Sequence, residues 1–242
     1  IVELIHGASL LHDDVIDDAL TRRGVASVNA TEGSKTAVML GDILYSKAFT
    51  ELVAFDKDIA RVIASSVTDL SKGEMMDVKM AEEFNFDEEK YLSMLYLKTA
   101  TLIEAAAIAS ALLIGKDTKS YGTYGKNLGL SFQIIDDILD ITADSITMGK
   151  PTMHDFVEGK CTLPYIYLYQ ELNADDKKRL ITSHGKEIDK VEIMWIKEMM
   201  QKHKTVEKSF TFAQTLSNEA MNAVKEDTAL VEILQSMMKR SY

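Results

Sequence analysis

The sequence predicts an all-α fold in a single domain, on three observations. Only two prolines, Pro151 and Pro164, interrupt 242 residues, whereas Ala, Leu, Met, Glu and Lys, all strong helix formers, are abundant. With 46% hydrophobic residues the chain can bury one sizeable core. Beyond a paired acidic motif there is no internal repeat, and neither a low-complexity tract nor a domain linker divides residues 1–242.

Each element follows from its residues. Ile1 to about Asp18 reads as a helix, apolar at Ile1, Val2, Leu4 and Ile5. Thr21 to Gly33 is a loop punctuated by Gly24 and Gly33. Ser34 is expected to cap the next helix, which runs to about Phe55. A further helix spans roughly Asp58 to Met80, ahead of a polar break from Ala81 to Phe86. Asp87, Glu88 and Glu89 suit the positive end of a long helix that closes at Gly115. The next helix starts near Thr118 and carries Gly122, Gly125 and Gly129 on one face, a pattern that favours close packing of a neighbour. Asp144 to Gly159 reads as a long polar loop. After Pro164 come three or four amphipathic helices, one capped by Asn173, with Met194, Met199 and Met200 near Trp195 as core filler.

Two acidic stretches carry the chemistry. Leu10 to Gly24 reads LLHDDVIDDALTRRG, which places Asp13, Asp14 and Asp17 at i, i+1 and i+4 inside an apolar run. Phe132 to Thr142 reads FQIIDDILDIT and repeats that spacing with Asp136, Asp137 and Asp140. On a helix, i and i+4 share a face, so the carboxylates crowd and call for a cation. Oxygen-only ligands point to Mg²⁺, which binds through one or two carboxylates plus substrate phosphates. Arg22 and Arg23 follow the first motif, and Lys150 and Lys160 the second. Guanidinium forks suit phosphate.

Composition narrows the function classes. A formal charge of −11 excludes a nucleic-acid partner, because a phosphate backbone demands a basic face. The single cysteine, Cys161, reads as a structural thiol, rules out an internal disulfide and fits a reducing, cytoplasmic compartment. The longest apolar run, Ala105 to Ile114, is about half a bilayer span. The chain opens in mid-pattern on Ile1, so N-terminal helices of the domain are expected ahead of it.

Five stretches in order complete a pattern: HDDVIDDALTRRG, the GD of LGDILYSKAF, the KT of LKTATLIEAA, FQIIDDILD and GKPTMHDFVEGKCTLP. With His6 ahead of them, they cover His6 to Pro164. The chain resembles the trans-isoprenyl diphosphate synthases, most closely their long-chain, octaprenyl-type members. The resemblance implies a helical bundle of isoprenoid-synthase type around a deep central cavity, assembled as a homodimer. It implies three Mg²⁺ ions, with Asp13 and Asp17 as ligands on one side, Asp14 supporting, and Asp136 on the other with Asp137 and Asp140 nearby. Arg22, Lys98, Thr99, Gln133, Lys150 and Lys160 would bind an allylic diphosphate, farnesyl or geranylgeranyl diphosphate. His6 and Arg23 would bind isopentenyl diphosphate. The family's Gly-Lys-x-x-Arg segment for that second substrate would fall ahead of Ile1. Asp77 departs from the family pattern, which often has glutamine there.

The implied activity is head-to-tail condensation of isopentenyl diphosphate onto the allylic primer. Ala8 and Ser9, five and four positions before Asp13, would line the cavity about 6 to 8 Å below it. Both are small, which implies a long product near C40, with a transient membrane contact for its release. Leu102 and Ile103 are the candidates for a deeper barrier. A class I terpene cyclase shares the first motif, but its second mixes Asn or Asp, Ser or Thr, and Glu. A non-catalytic partner subunit predicts a degenerate motif, and neither motif here is degenerate. A plain helical interaction protein leaves the paired aspartates and their basic neighbours unexplained.

Overall fold

A computed structural model describes residues 1–142 and 153–239. Helix α1 (Val2–Ile16) leads through a hairpin of two short strands, β1 (Thr21–Arg22) and β2 (Val25–Ala26), to α2 (Val28–Glu32). Three long helical segments follow: α3 (Ser34–Leu52), α4 (Lys57–Met80), and a rod made of α5 (Glu88–Leu95), a π-helical turn π1 (Tyr96–Ala100) and α6 (Thr101–Ile114). Helix α7 (Thr118–Thr142) ends at the second acidic motif. Beyond it lie α8 (His154–Val157), α9 (Leu163–Glu171), α10 (Ala174–Ser183), α11 (Lys190–His203), α12 (Thr205–Ala223) and α13 (Thr228–Lys239).

The caps explain where several helices begin. Asp56 accepts from the Asp58 amide and Asp87 from the Lys90 amide. Asn173 accepts from the Asp175 and Asp176 amides, as its side chain predicts. Gly115 closes α6 in the left-handed conformation, φ 67°. Ser34 is not a cap: it is the first residue of α3, preceded by Gly33 at φ 86°.

Helices α6 and α12 flank α7, while α1 packs on α3, and α4 on α6 and π1. The rod Glu88–Ile114 is long and apolar enough by composition to cross a membrane, yet α4 and α7 lie along its sides. The glycine stripe does what its spacing suggests. A Cβ on Gly125 would lie 2.6 Å from the Glu104 Cα, and one on Gly129 2.5 Å from the Ala100 Cα. Only glycine lets α7 approach the rod this closely.

One core joins Tyr91 and Met94 of α5, Ile134 and Ile138 of α7, and Tyr165, Ile166 and Leu168 of α9. A second joins Ile5, Leu52, Ile59, Ile63, Leu102 and Ala105. Met200 and Trp195 belong to the first core, but Met194 is exposed.

Four expectations are corrected. The stretch Thr21 to Gly33 holds a hairpin and a short helix. Arg23 and Gly24 turn the hairpin, both at positive φ (51° and 79°), the backbone that matches the twist of paired strands. The rod is not α-helical throughout, because π1 interrupts it. Helix α8 lies inside the expected loop Asp144–Gly159. Among the described residues four helices start beyond Pro164, as expected, but α9, which contains Pro164, is not amphipathic: Leu163 through Leu168 are buried consecutively.

Candidate active site

The first acidic motif sits in the last turn of α1, which ends at Ile16, and the second lies in the final described stretch of α7. A helix C-terminus is the negative end of its dipole, so carboxylates there add to a field that already disfavours them. Burial, with Glu74 and Asp17 adding, pushes the Asp13 carboxyl up to about 7 against the opposing charges of Lys98 and Arg22. Such crowding suits a cation, which would relieve the repulsion between the carboxylates.

The buried Asp14 is turned away from that cluster. Its Oδ1 takes both Arg22 Nε at 2.8 Å and Nη2 at 2.7 Å. Asn29 Nδ2 bridges the carbonyls of Asp14 and Ala19, at 3.0 Å each, and Ser27 Oγ donates to Ala19 O at 2.6 Å. The hairpin and α2 therefore hold Arg22 over the end of α1.

Lys98 and Thr99 lie on π1, where π turns commonly mark functional sites. Lys98 Nζ meets Glu74 at 2.9 Å and Asp77 at 2.5 Å, both from α4. Burial works against its charge, but these two carboxylates outweigh it and hold its pKa above the ordinary lysine range. Asp77, the departure from the family pattern, is thus the partner of a site lysine. A Cβ on Gly73 would lie 2.3 Å from the Lys98 backbone nitrogen, so α4 and π1 touch backbone to backbone.

The second motif is tied down by hydrogen bonds. Thr99 Oγ1 donates to Gln133 Oε1 at 3.1 Å, and Gln133 Nε2 donates to Asp137 Oδ1 at 3.1 Å. Tyr91 donates its hydroxyl proton to Asp137 Oδ2 at 2.5 Å. Asp140 caps α8, accepting from the His154 and Asp155 amides at 3.1 and 3.3 Å. That cap places Asp155 beside the motif. Burial and the Asp140 charge push the Asp155 carboxyl up to about 7, with Lys160 opposing.

Three cavities meet here. A polar one of about 300 Å³ brings together Asp13, Asp17, Arg22, Lys98, Thr99, Gln133, Asp136, Asp137 and Lys160. A second, of about 550 Å³, lies on the other side of Asp17, Asp136 and Lys160 and adds Asp14, Asp140 and Arg23. A third, of about 580 Å³ and mainly apolar, opens beneath Asp13 and Lys98 and is lined by Ser9, Ile16, Tyr45, Leu70, Met75 and Val78.

Ala8 and His6 line none of the three. At about 100° per residue Ser9 shares Asp13's face of α1, but Ala8 lies about 140° away and is fully buried. His6 sits about 10 Å down the helix. Leu102 is in the core between α4 and α6, and neither it nor Ile103 borders the apolar cavity. Lys150 lies outside the described residues.

Sequence reasoning missed Tyr91, Asp155 and the pairing of Glu74 and Asp77 with Lys98. Asp155 stands in the GKPTMHDFVEGK stretch, so position offered a signal for it, whereas the partner of Tyr91 is 46 positions away.

The donor set suits Mg²⁺: all oxygen and crowded, with burial raising the Asp13 carboxyl. Among the described residues no three acidic, histidine or cysteine side chains converge as a ready coordination group. An ion would therefore draw ligands from diphosphate oxygens and water as well as from protein.

A helical bundle with two opposed carboxylate motifs, cationic rims and an apolar cavity beneath belongs to the isoprenoid-synthase class of folds. Within that class the chain belongs to the polyprenyl synthetase family, whose pattern matches residues 1–203. It is 35% identical to solanesyl-diphosphate synthase 1, mitochondrial, of Oryza sativa subsp. japonica, over all of this chain and 59% of that protein. The chain thus spans well under two thirds of that relative's length. The crystal structure of octaprenyl pyrophosphate synthase from Helicobacter pylori superposes with a TM-score of 0.93 at 45% identity, covering 98% of this chain and 78% of that one. A polyprenyl synthase from Caulobacter crescentus CB15, complexed with calcium and isoprenyl diphosphate, gives 0.87 at 28% identity, covering 99% and 75%.

Proposed function

We propose that the protein is a trans-prenyltransferase that condenses isopentenyl diphosphate head-to-tail onto an allylic diphosphate and makes a long-chain polyprenyl diphosphate near C40. The observation that carries this reading is the meeting of Asp13, Asp17 and Asp136 with Arg22, Lys98 and Gln133 around one cavity, directly above an apolar one. A diphosphate belongs in the first and a hydrocarbon tail in the second.

Arg22, Lys98, Gln133 and Lys160 would hold the allylic diphosphate through charge-assisted hydrogen bonds. Asp13, Asp17 and Asp136 would hold Mg²⁺, three ions in all, with Asp14 and Asp140 fixing their neighbours. Mg²⁺, when bound, neutralises charge that concentrates on the diphosphate as it leaves. As the C1–O bond breaks, the cationic side chains stabilise the departing anion more than the bound ester, which lowers the barrier. The double bond of isopentenyl diphosphate, held by Arg23, attacks C1 of the allylic cation. Loss of a proton to the departed diphosphate restores an allylic diphosphate one isoprene unit longer.

The relatives named octaprenyl and solanesyl synthases support a long product, as does the small Ser9 at the mouth of the apolar cavity. Exposed Val38, Met39, Leu40 and Ile43 on α3 support a homodimer, which we place in the cytoplasm, touching membrane only to release product. The test is product analysis with labelled isopentenyl diphosphate and farnesyl or geranylgeranyl diphosphate. Mg²⁺-dependent formation of a linear polyprenyl diphosphate is expected. A cyclised hydrocarbon, or no incorporation of label, would overturn the reading.

A further inference from the structure

Tyr91 is 1% exposed, yet its hydroxyl reaches the edge of the polar cavity and donates to Asp137. It heads a chain of three hydrogen bonds, Tyr91 to Asp137, Gln133 to Asp137 and Thr99 to Gln133, that ties α5, α7 and π1 together. None of the chemistry above uses the phenol.

The chain has a direction, and the direction has consequences. A carboxylate only accepts, whereas a glutamine amide has a donor end and an acceptor end that can exchange places. With Asp137 Oδ1 beside it, Gln133 must turn its NH₂ toward Asp137 and its carbonyl toward Thr99. The Thr99 proton is then committed to that carbonyl. The second N–H of Gln133 is left for an oxygen in the cavity. Asp137 can impose this order only while its own orientation is fixed. Tyr91 fixes it: its hydroxyl, a donor at neutral pH, lies 2.5 Å from Asp137 Oδ2. Without the phenol, Oδ2 becomes a buried carboxylate oxygen lacking its donor, which is costly enough to make the side chain turn.

We propose that Tyr91 is a positioning residue for the diphosphate: it keeps Asp137 out of metal coordination and thereby holds the Gln133 amide with its free N–H toward the diphosphate oxygens. This rests on reading the polar cavity as a diphosphate site.

The test compares the wild-type chain with Tyr91→Phe, Asp137→Asn and the double variant. Calorimetry with inorganic diphosphate and Mg²⁺ reads binding without turnover, and steady-state kinetics gives kcat and the two KM values. Tyr91→Phe is expected to weaken diphosphate binding about tenfold, the effect of losing one charge-assisted hydrogen bond, and to raise KM for the allylic substrate alone. In the double variant the neutral amide has no metal to seek and its carbonyl still accepts from Gln133. Most of the lost affinity is expected to return, although the phenol is still absent. Unchanged diphosphate affinity in Tyr91→Phe, or a double variant no better than the single, would overturn the proposal, since a mere packing defect is not repaired at Asp137. A wild-type chain that binds diphosphate but transfers no prenyl group would sink the functional reading and leave this one standing. A wild type that binds no diphosphate would sink both.

Discussion

Replacing Gly73 with alanine sets a methyl group 2.3 Å from the Lys98 backbone nitrogen and 2.6 Å from the Leu97 carbonyl carbon. These are backbone atoms, so no side chain can swing aside. Reaching the 3.4 Å of ordinary contact takes a retreat of about 1 Å, and a misplacement of that size at a catalytic group can cost about a hundredfold in rate. Overpacking costs about 1–3 kcal/mol. Because backbone is met, the upper end applies, and the better helix propensity of alanine returns about 1 kcal/mol. The net loss of about 2 kcal/mol corresponds to a fall in Tm of about 4–8 °C for a chain of this size. Activity should therefore fall much further than stability. Gly7→Ala is the control: its new methyl meets only Leu44 Cδ1, at 3.6 Å, and should stabilise by about 1 kcal/mol with full turnover. Differential scanning calorimetry and a prenyl-transfer assay on both variants decide the matter. Full activity and an unchanged Tm in Gly73→Ala would refute the idea that α4 sets the position of π1.

Four more predictions follow from the site. Asp13→Ala and Asp136→Ala should each cut turnover by about two orders of magnitude or more while circular dichroism stays unchanged; wild-type rates in either would remove the metal assignment. The Asp13 and Asp155 carboxyls sit near 7 in the fold, above their unfolded values, so their contribution to stability is complete below pH 4 and drains away as pH rises to 7. In chelator Tm should fall across that window, and added Mg²⁺ should restore more at pH 8 than at pH 5.5; equal restoration would contradict it. Ser9→Phe should shorten the product to about three or four isoprene units, because its side chain would enter the apolar cavity, whereas Ala8→Phe should mainly destabilise the core; chromatography of the products separates these outcomes. Arg23→Ala should raise KM for isopentenyl diphosphate, and Lys98→Ala that for the allylic substrate, the latter with a lower Tm because Glu74 and Asp77 lose their shared cation; matching effects on both substrates would refute the division.

What the sequence made legible was local. Asp87 and Asn173 announce helix starts within three residues of themselves, and the glycines of α7 announce a close neighbour through spacing alone. The carboxylate spacing likewise identified both acidic motifs. The hairpin at Arg23–Gly24 was hidden because two-residue strands are too short for any period to show. The buried run Leu163–Leu168 looks the same as a strand or a helix until its neighbours are known. Ala8 was misjudged because four residues preserve a helix face and five do not. Tyr91 was invisible for a different reason: its meaning lies in a bond to Asp137 across 46 positions, and nothing local distinguishes it from any core tyrosine.

The π turn also makes the site depend on the number of residues, not only on their kinds. A turn closed from i to i+5 holds more chain than an α turn, so it offsets the angular phase of everything on one side of it against the other. Helix α6 is locked in phase by its glycine contacts with α7, and α5 must therefore take whatever phase the turn leaves it. Removing one residue between Tyr96 and Ala100 would let the rod run as uninterrupted α-helix and rotate α5 by about 100°. Tyr91 would then face away from Asp137, with every one of the acidic residues still in place. For this segment an insertion or deletion is a larger functional change than any single substitution, and a comparison of related chains that tolerates gaps here would misalign the residues that matter.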